Sequence, residues 1–339
     1  MPRGDIIRRE SSLEDACKYV GYPLVIKPVD GNHGRGITVN IQNYDEALVA
    51  FRAAKESSRS TGVIIEKFIT GEDYRLLVIN NKLVAAAKRT PAHVVGNGKL
   101  TVQELIDEVN KDPRRGYGHE NVLTQITVND LTKTIIKDAG YTLESVIPAG
   151  ETLILKDTAN LSTGGTAEDV TDIVHPANTS MAERISKIID LDICGIDVMT
   201  TDITKPLSET GGAVLEVNAG PGFRMHLAPT KGLPRNVAGH VIDKLFPKGT
   251  TGRIPIVAIS GTNGKTTTTR LIAHIAKMNG YRVGYTTSDG VYIQNRLLMK
   301  GDCTGPVSSS FVLKDPTVDF AVLECARGGI LKSGLAFQN

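Results

Sequence analysis

Residues 256–267 run Ile256-Val257-Ala258-Ile259-Ser260-Gly261-Thr262-Asn263-Gly264-Lys265-Thr266-Thr267. Apolar residues lead into a glycine-bearing turn, and the turn opens a helical pattern that extends to about residue 279. Backbone N–H groups of such a turn converge, and the helix N-terminus adds positive potential, so the segment suits phosphate oxygens. Lys265 is placed to reach the β- and γ-phosphates of a nucleotide such as ATP, and the Thr266 hydroxyl to hold Mg²⁺. Gly261, Thr262, Asn263, Gly264 and Thr267 complete the expected cradle. The usual spacing puts glycine where Ile259 stands; here Gly261 comes two residues later, which makes this a variant loop. A chance Gly-Lys-Thr at a helix start is the alternative, and the flanking strand and helix count against it.

A second constellation is Glu216-Val217-Asn218, on a strand pattern over 213–218. Alternation along a strand puts Glu216 and Asn218 on one face, where two oxygen donors suit a hard cation. Asp197, in Gly195-Ile196-Asp197-Val198, is a natural third ligand from a neighbouring strand. Taken singly, each is an ordinary polar residue; together with Gly220-Pro221-Gly222 they form a more specific pattern. Upstream, Lys27 ends a strand pattern just before the glycine loop 30–36, which carries His33 and Gly34 as candidate phosphate contacts. Lys67 either faces a nucleotide or is a solvated lysine. Residues 157–165 form either a substrate loop or a plain connection. Arg224 is a candidate catalytic cation, and His93 is either a catalytic or substrate contact or structural.

These residues need a scaffold, and strand and helix patterns alternate through most of the 339 residues, which predicts an α/β fold. Helices are expected over 44–57, 101–110, 130–140, 179–189, 237–246 and 265–279. Strands are expected over 22–27, 37–41, 63–68, 74–79, 83–88, 193–200, 213–218 and 254–259, with Asn80-Asn81 as a hairpin turn. Residues 91–150 are less regular. The Gly-, Pro- and Thr-rich segment 247–252 predicts a boundary, giving domains over 1–248 and 249–339. Lys plus Arg number 39 and Asp plus Glu 37, a net charge of +2 that argues against nucleic acid as a partner. Tryptophan is absent and aromatics are 5%, so base- or sugar-stacking platforms are not expected. No apolar run approaches the ~20 residues of a membrane span, and residues 1–10 are polar and charged, unlike a signal peptide. The four cysteines form no CxxC pair, so neither a disulfide framework nor a zinc site is expected, and the chain reads as cytoplasmic.

The loop Gly261-Thr262-Asn263-Gly264-Lys265-Thr266 resembles that of the Mur ligases and folylpolyglutamate synthetases, and so do Asp302-Cys303-Thr304-Gly305-Pro306 and Glu324 at the end of a strand pattern. That resemblance implies ATP, with Mg²⁺ held by Thr266 and Glu324. Asp197 with Glu216 and Asn218 resembles the ATP-grasp fold. There it implies two Mg²⁺ ions on those three residues, Lys27 on phosphate, and Glu66, Lys67 and Phe68 around the adenine. The pattern departs from related dipeptide ligases at Gly195, where they carry an arginine; Arg224 is the expected replacement. An ATP-grasp module followed by the start of a P-loop Mur-ligase-like α/β domain resembles the cyanophycin synthetase family. The stretches 30–36, 157–166, 220–229, 261–270, 300–306 and 326–331 carry that resemblance.

The family resemblance implies an ATP-dependent ligase acting through acyl phosphates. The ATP-grasp half would add aspartate to a polymer backbone, and the Mur-like half would add arginine to the aspartate β-carboxylate. A homo-oligomer is implied as well. Against that family the first ATP-grasp subdomain and the C-terminal domain are expected to be incomplete, leaving activity to a longer parent. Three other readings stay open. One is a different ATP-grasp carboxylate–amine ligase, such as a glutathione-synthetase-like enzyme. Another is a relative polymerising preformed dipeptides, which the intact Lys265 and Thr266 oppose. The last is a nucleotide-binding fragment without turnover.

Overall fold

A computed structural model describes residues 1–337 apart from 31–35, 58–61, 119 and 251. The chain divides into two compact units, Met1–Leu245 and Phe246–Asn339.

The first unit opens with strand β1 (Gly4–Ile7), helix α1 (Leu13–Val20), strands β2 (Leu24–Pro28) and β3 (Thr38–Ile41), helix α2 (Tyr44–Ser57) and strand β4 (Val63–Lys67). The strands form an antiparallel sheet in the order β1-β4-β2-β3. Alternate residues Leu24, Ile26, Val63 and Ile65 are buried on its covered face with Leu13 of α1 and Ala47, Ala50 and Phe51 of α2. Strand β1 has no counterpart among the sequence expectations. Only Ile7 of its four residues is buried, so no period-two signal exists to read.

Strands β5 (Glu72–Ile79) and β6 (Lys82–Thr90) follow as a hairpin. Its turn residues Asn80 and Asn81 both have positive φ, 52° and 60°, as a tight hairpin demands. The stretch that reads as irregular then forms a small body of its own. It contains β7 (His93–Val95), α3 (Val102–Asn110), β8 (Arg115–Gly116), β9 (Leu123–Thr124), α4 (Asp130–Asp138) and β10 (Thr152–Ile154). Thr101 and Asn129 cap the two helices through reciprocal capping boxes. Ile106, Ile126, Ile136, Ile147 and Leu155 form a separate core there.

The chain returns through β11 (Thr166–Asp169), α5 (Pro176–Ile189), β12 (Ile193–Thr200), α6 (Leu207–Thr210), β13 (Ala213–Asn218), α7 (Arg224–Leu227) and α8 (Val237–Leu245). The second sheet is antiparallel in the order β11-β6-β5-β12-β13. The alternation of strands and helices in this unit thus serves antiparallel sheets rather than parallel crossovers.

In the first unit the two-residue strands β8 and β9 pair in parallel, but parallel pairing within a large sheet belongs to the second unit. Its elements are β14 (Ile256–Ile259), α9 (Lys265–Met278), β15 (Val283–Thr287), β16 (Gly290–Ile293), β17 (Arg296–Lys300), α10 (Pro306–Leu313), β18 (Phe320–Glu324) and α11 (Arg327–Ser333). The sheet order is β14-β18-β15-β16-β17, with β18 parallel to both neighbours. Among the described residues no helix is long and apolar enough to cross a membrane.

The separate core of the 92–155 body has a measurable consequence. Ile106 is fully buried there, so Ile106→Ala should cost about 2–5 kcal/mol locally. Amide exchange should rise throughout that body while β5 and β12 stay protected. Equal loosening of β5 would show instead that the two cores unfold together.

Candidate functional sites

In the first unit, β12 lies between β5 and β13, and the register sets Asp197 opposite both Arg75 and Glu216. Asp197 is buried and is held by two guanidiniums. Arg75 donates through Nε to Oδ1 and through Nη2 to Oδ2 at 3.1 Å, while Arg89 Nη2 lies 3.0 Å from Oδ2. Arg89 also donates to Asp73 Oδ1 at 2.6 and 2.9 Å. Two carboxylates and two guanidiniums therefore balance inside the sheet, and removing one partner would strand a buried charge. Burial raises the Asp73 carboxyl above its ordinary value in spite of Arg89. Burial works against the charge on Arg89, but Asp73 and Asp197 outweigh it and the guanidinium is held more firmly protonated.

Gly195 makes room for this arrangement. A Cβ there would lie 2.7 Å from Pro221 Cβ and 2.9 Å from Arg75 Cδ. The arginine missing at position 195 is thus matched by Arg75 from the adjacent strand, crossing the space a side chain at 195 would need. Arg75, Arg89 and Arg224 line one cleft of about 390 Å³, together with Asn160, Ser162 and Gly222. Arg224, expected from the sequence, is there; Arg75 and Arg89 are the cations the sequence reading missed in this role. A signal was available for Arg75 alone, a cation between Tyr74 and Leu76 on the 74–79 strand pattern; Arg89, between Lys88 and Thr90, carries none. The 157–165 segment contributes Asn160 and Ser162 to the cleft wall, as a substrate loop would.

A neighbouring cleft of about 590 Å³ brings together Lys27, Glu66, Leu215 and Glu216. Lys27 is ion-paired with Glu66. Glu216 Oε1 accepts from Asn218 Nδ2 at 2.9 Å, leaving the Asn218 carbonyl oxygen and the second Glu216 oxygen as donors suited to a hard cation. Asp197 accepts three guanidinium contacts, two on Oδ2 and one on Oδ1, so Oδ1 keeps a lone pair to add to that set. Lys67 donates to the carbonyls of Gly21 and Tyr22, and the Phe68 N–H to Pro23 O; neither residue is among those lining the cleft. His33 and Gly34 lie outside the described residues. His93 is not brought into either cleft: it sits on β7 with Nδ1 2.8 Å from Pro91 O.

In the second unit, β14 delivers the phosphate-loop segment and Gly264, at φ 80°, turns it into α9. Lys265 Nζ rests on Gly261 O at 2.9 Å and on Thr262 O at 3.4 Å. Thr262, Asn263, Lys265, Thr266, Thr304 and Glu324 line a cleft of about 420 Å³, which Gly264, Thr267 and Asp302 also border. Glu324 is 2% exposed at the end of β18, beside β14. Its Oε2 accepts from Thr266 Oγ1 at 2.9 Å and from the Ser288 N–H at 3.2 Å. A buried carboxylate joined to the loop hydroxyl fits a Mg²⁺ seat, with hard oxygens and a charge in need of compensation.

His226, on α7, is a group that no sequence signal marks. It is 2% exposed, and neither ring nitrogen has a hydrogen-bond partner among the described residues. Burial, together with the Arg75 and Arg89 guanidiniums and against Asp169, pushes its pKa down to about 4. The unfolded chain therefore binds the extra proton first as pH falls, and stability drops between about 6.5 and 4. His226→Gln should flatten this dependence, removing about 3 kcal/mol of acid destabilisation. Denaturant unfolding of both proteins from pH 7 to 4 would measure it, and parallel curves would show that the imidazole is protonated in the fold.

Comparison with known proteins matches each unit to a family. The RimK-like ATP-grasp domain model matches residues 1–98 and 150–245, and the Mur ligase middle domain model matches 259–337. Cyanophycin synthetases from Synechocystis sp. and Crocosphaera subtropica are 57% and 59% identical over the whole chain, which spans about 39% of their length. The bifunctional glutathione biosynthesis protein GshAB of Clostridium perfringens is 33% identical over 73% of this chain and 32% of its own. The solved bifunctional glutathione synthetase of Pasteurella multocida superposes with a TM-score of 0.56 at 30% identity. That match covers 73% of this chain and 34% of that one. The chain belongs to the RimK-like ATP-grasp family, carries a Mur ligase middle domain after it, and is related along its whole length to the cyanophycin synthetases.

Proposed function

We propose that this chain supplies both nucleotide sites of an ATP-dependent amide-bond-forming ligase of the cyanophycin synthetase kind. Its first unit adds aspartate to a polymer backbone, and its second adds arginine to the new β-carboxylate. Homo-oligomeric assembly in the cytoplasm belongs to the same reading. The observation that carries it is the presence, on one chain, of two clefts in which a lysine stands beside hard oxygen donors, Lys27 with Glu216 and Lys265 with Thr266 and Glu324. A glutathione-type ligase explains the first unit but leaves the second, with its intact Lys265, Thr266 and Glu324, without a task.

The chemistry is the same twice. A carboxylate oxygen attacks the γ-phosphorus of ATP, ADP leaves, and the acyl phosphate forms. An amine then attacks the acyl carbon, phosphate departs with the bonding pair, and the amine loses a proton. In the first unit, Arg75, Arg89 and Arg224 hold the substrate carboxylate and the oxyanion of the tetrahedral intermediate, where fixed donors are most effective. Lys27 leaves Glu66 to meet the phosphates. In the second unit, Lys265 swings from its own loop carbonyls onto the β- and γ-phosphates, while loop N–H groups cradle them. Mg²⁺, held by Glu216, Asn218 and Asp197 in one site and by Thr266 and Glu324 in the other, would neutralise phosphate charge.

ADP release in the presence of ATP, Mg²⁺ and a short aspartate–arginine primer tests the division of labour, with aspartate, arginine or both supplied. Aspartate alone should extend the primer once. Lys265→Ala should lower arginine incorporation by about 10²–10³-fold and leave the single aspartate addition intact. Wild-type arginine incorporation in Lys265→Ala would show that the second unit is not a working site. Absence of amino-acid-dependent ADP release in the wild type would favour a nucleotide-binding role without turnover.

A further inference from the structure

The RimK-like model leaves residues 99–149 unmatched, yet that stretch is bonded to two of the segments that line the arginine cleft, the 160–165 turn and Arg224. Arg115, on β8, is 8% exposed, and its Nη1 donates to Thr124 O at 2.6 Å and to Gly164 O at 3.1 Å. Gly164 belongs to the turn whose Asn160 and Ser162 line the cleft. Six residues beyond Arg115, the Asn121 carbonyl accepts from Arg224 Nη1 at 3.1 Å. The Asn121 side chain returns to donate to Arg115 O at 3.2 Å and Pro113 O at 3.3 Å, so the two contacts belong to one knuckle.

The packing has no slack. A Cβ on Gly116 would meet Asn121 Cγ at 2.8 Å. A Cβ on Gly164, which has φ +95°, would meet Ile126 Cγ1 at 2.8 Å. Gly165 is closed in by Asn160 O and Thr90 O at 2.8 and 2.9 Å. The Arg115 guanidinium has no carboxylate paired with it among the described ion pairs. Burial lowers its pKa, with Asp112 opposing, so its position rests on carbonyl oxygens. Both bonds leave one nitrogen, Nη1, so a single buried group ties the Thr124 and Gly164 carbonyls together.

We propose that the 99–149 insertion is a clasp that sets acceptor specificity in the first unit. Arg115 is its positioning residue: it fixes the 160–165 turn, while the Asn121 carbonyl aims Arg224 into the cleft. The proposal rests on the reading of that cleft as the seat of the carboxylate to be activated. Arg115 touches no substrate, and the chemistry stays with the cleft arginines.

The test compares wild type with Arg115→Met, which keeps an apolar stem and removes both donated bonds, and with Gly116→Ala, which pushes on Asn121. Primer KM should rise about tenfold in each, the ratio expected for one charge-assisted hydrogen bond lost. The KM for ATP should stay within about twofold, because the Lys27 cleft has no contact with the knuckle. Hydrogen exchange, read independently of turnover, should be about tenfold faster at the 160–165 amides and unchanged in β4 and β13. Unchanged exchange at 160–165, or an equal rise in the KM for ATP, overturns the clasp. Absence of primer-dependent ADP release in wild type, with faster exchange at 160–165 in the variants, would overturn the ligase reading and leave the clasp standing.

Discussion

The placement of Asp197 constrains the first unit more than any other residue. It sits on the strand between β5 and β13, buried, and both its oxygens accept from guanidiniums. A carboxylate in such a place is tolerable only with nearby positive charge. That requirement dictates Arg75 on β5 and Arg89 on β6, and Arg89 in turn calls for Asp73. It also dictates Gly195, because the Arg75 stem crosses the volume a side chain there would fill. The cleft inherits its cations from this balance: the groups that neutralise the sheet interior are the same groups that form the cleft wall.

Under the proposed function the two units would hold phosphate by different means. The second uses contiguous residues, a strand, a glycine turn and the start of a helix, so its cradle is local in sequence. Its distant partner Glu324 is delivered by β18, which pairs in parallel with β14, and Ser288, Asp302 and Thr304 join it. The first unit draws Lys27, Glu66, Arg75, Arg89, Asn160, Glu216 and Arg224 from eight separate segments, counting the 99–149 insertion that holds Arg224. Antiparallel sheets allow this, because register alone can bring residues far apart in sequence, such as Asp197 and Arg75, side by side.

That contrast explains what the sequence discloses. The loop 261–267 is legible because its chemistry is written in consecutive residues, and Glu324 is legible because a strand-end acid completes it. Glu216 and Asn218 are legible through period-two alternation. Arg75 carries charge on an otherwise apolar strand pattern and Arg89 lies just past the end of the next, but only the register shows that they meet one carboxylate. Strand β1 and the pairings of the 92–155 body leave too few buried residues per element for a period to emerge. His226 and Arg115 are invisible for another reason: their roles depend on burial among residues 50 to 150 positions away. Nothing in their local pattern separates them from solvated side chains.

The cations of the clefts differ in how firmly they are held, and that difference follows from exposure. Lys265 rests on the carbonyls of its own loop at an exposed site, so exchanging them for phosphate oxygens costs little. Lys27 is paired with Glu66 at the mouth of the second cleft and is free to exchange partners on similar terms. Arg75 and Arg89 are fixed by buried carboxylates, and no exchange is cheap there. A nucleotide comes and goes with every turnover, and movable lysines suit it. The carboxylate to be activated must be held in one geometry against a developing oxyanion, and donors that do not reorganise serve that step best. The buried pairs with Asp73 and Asp197 keep the donors still, and the insertion behind Gly164 and Arg224 closes the same frame from outside the sheet.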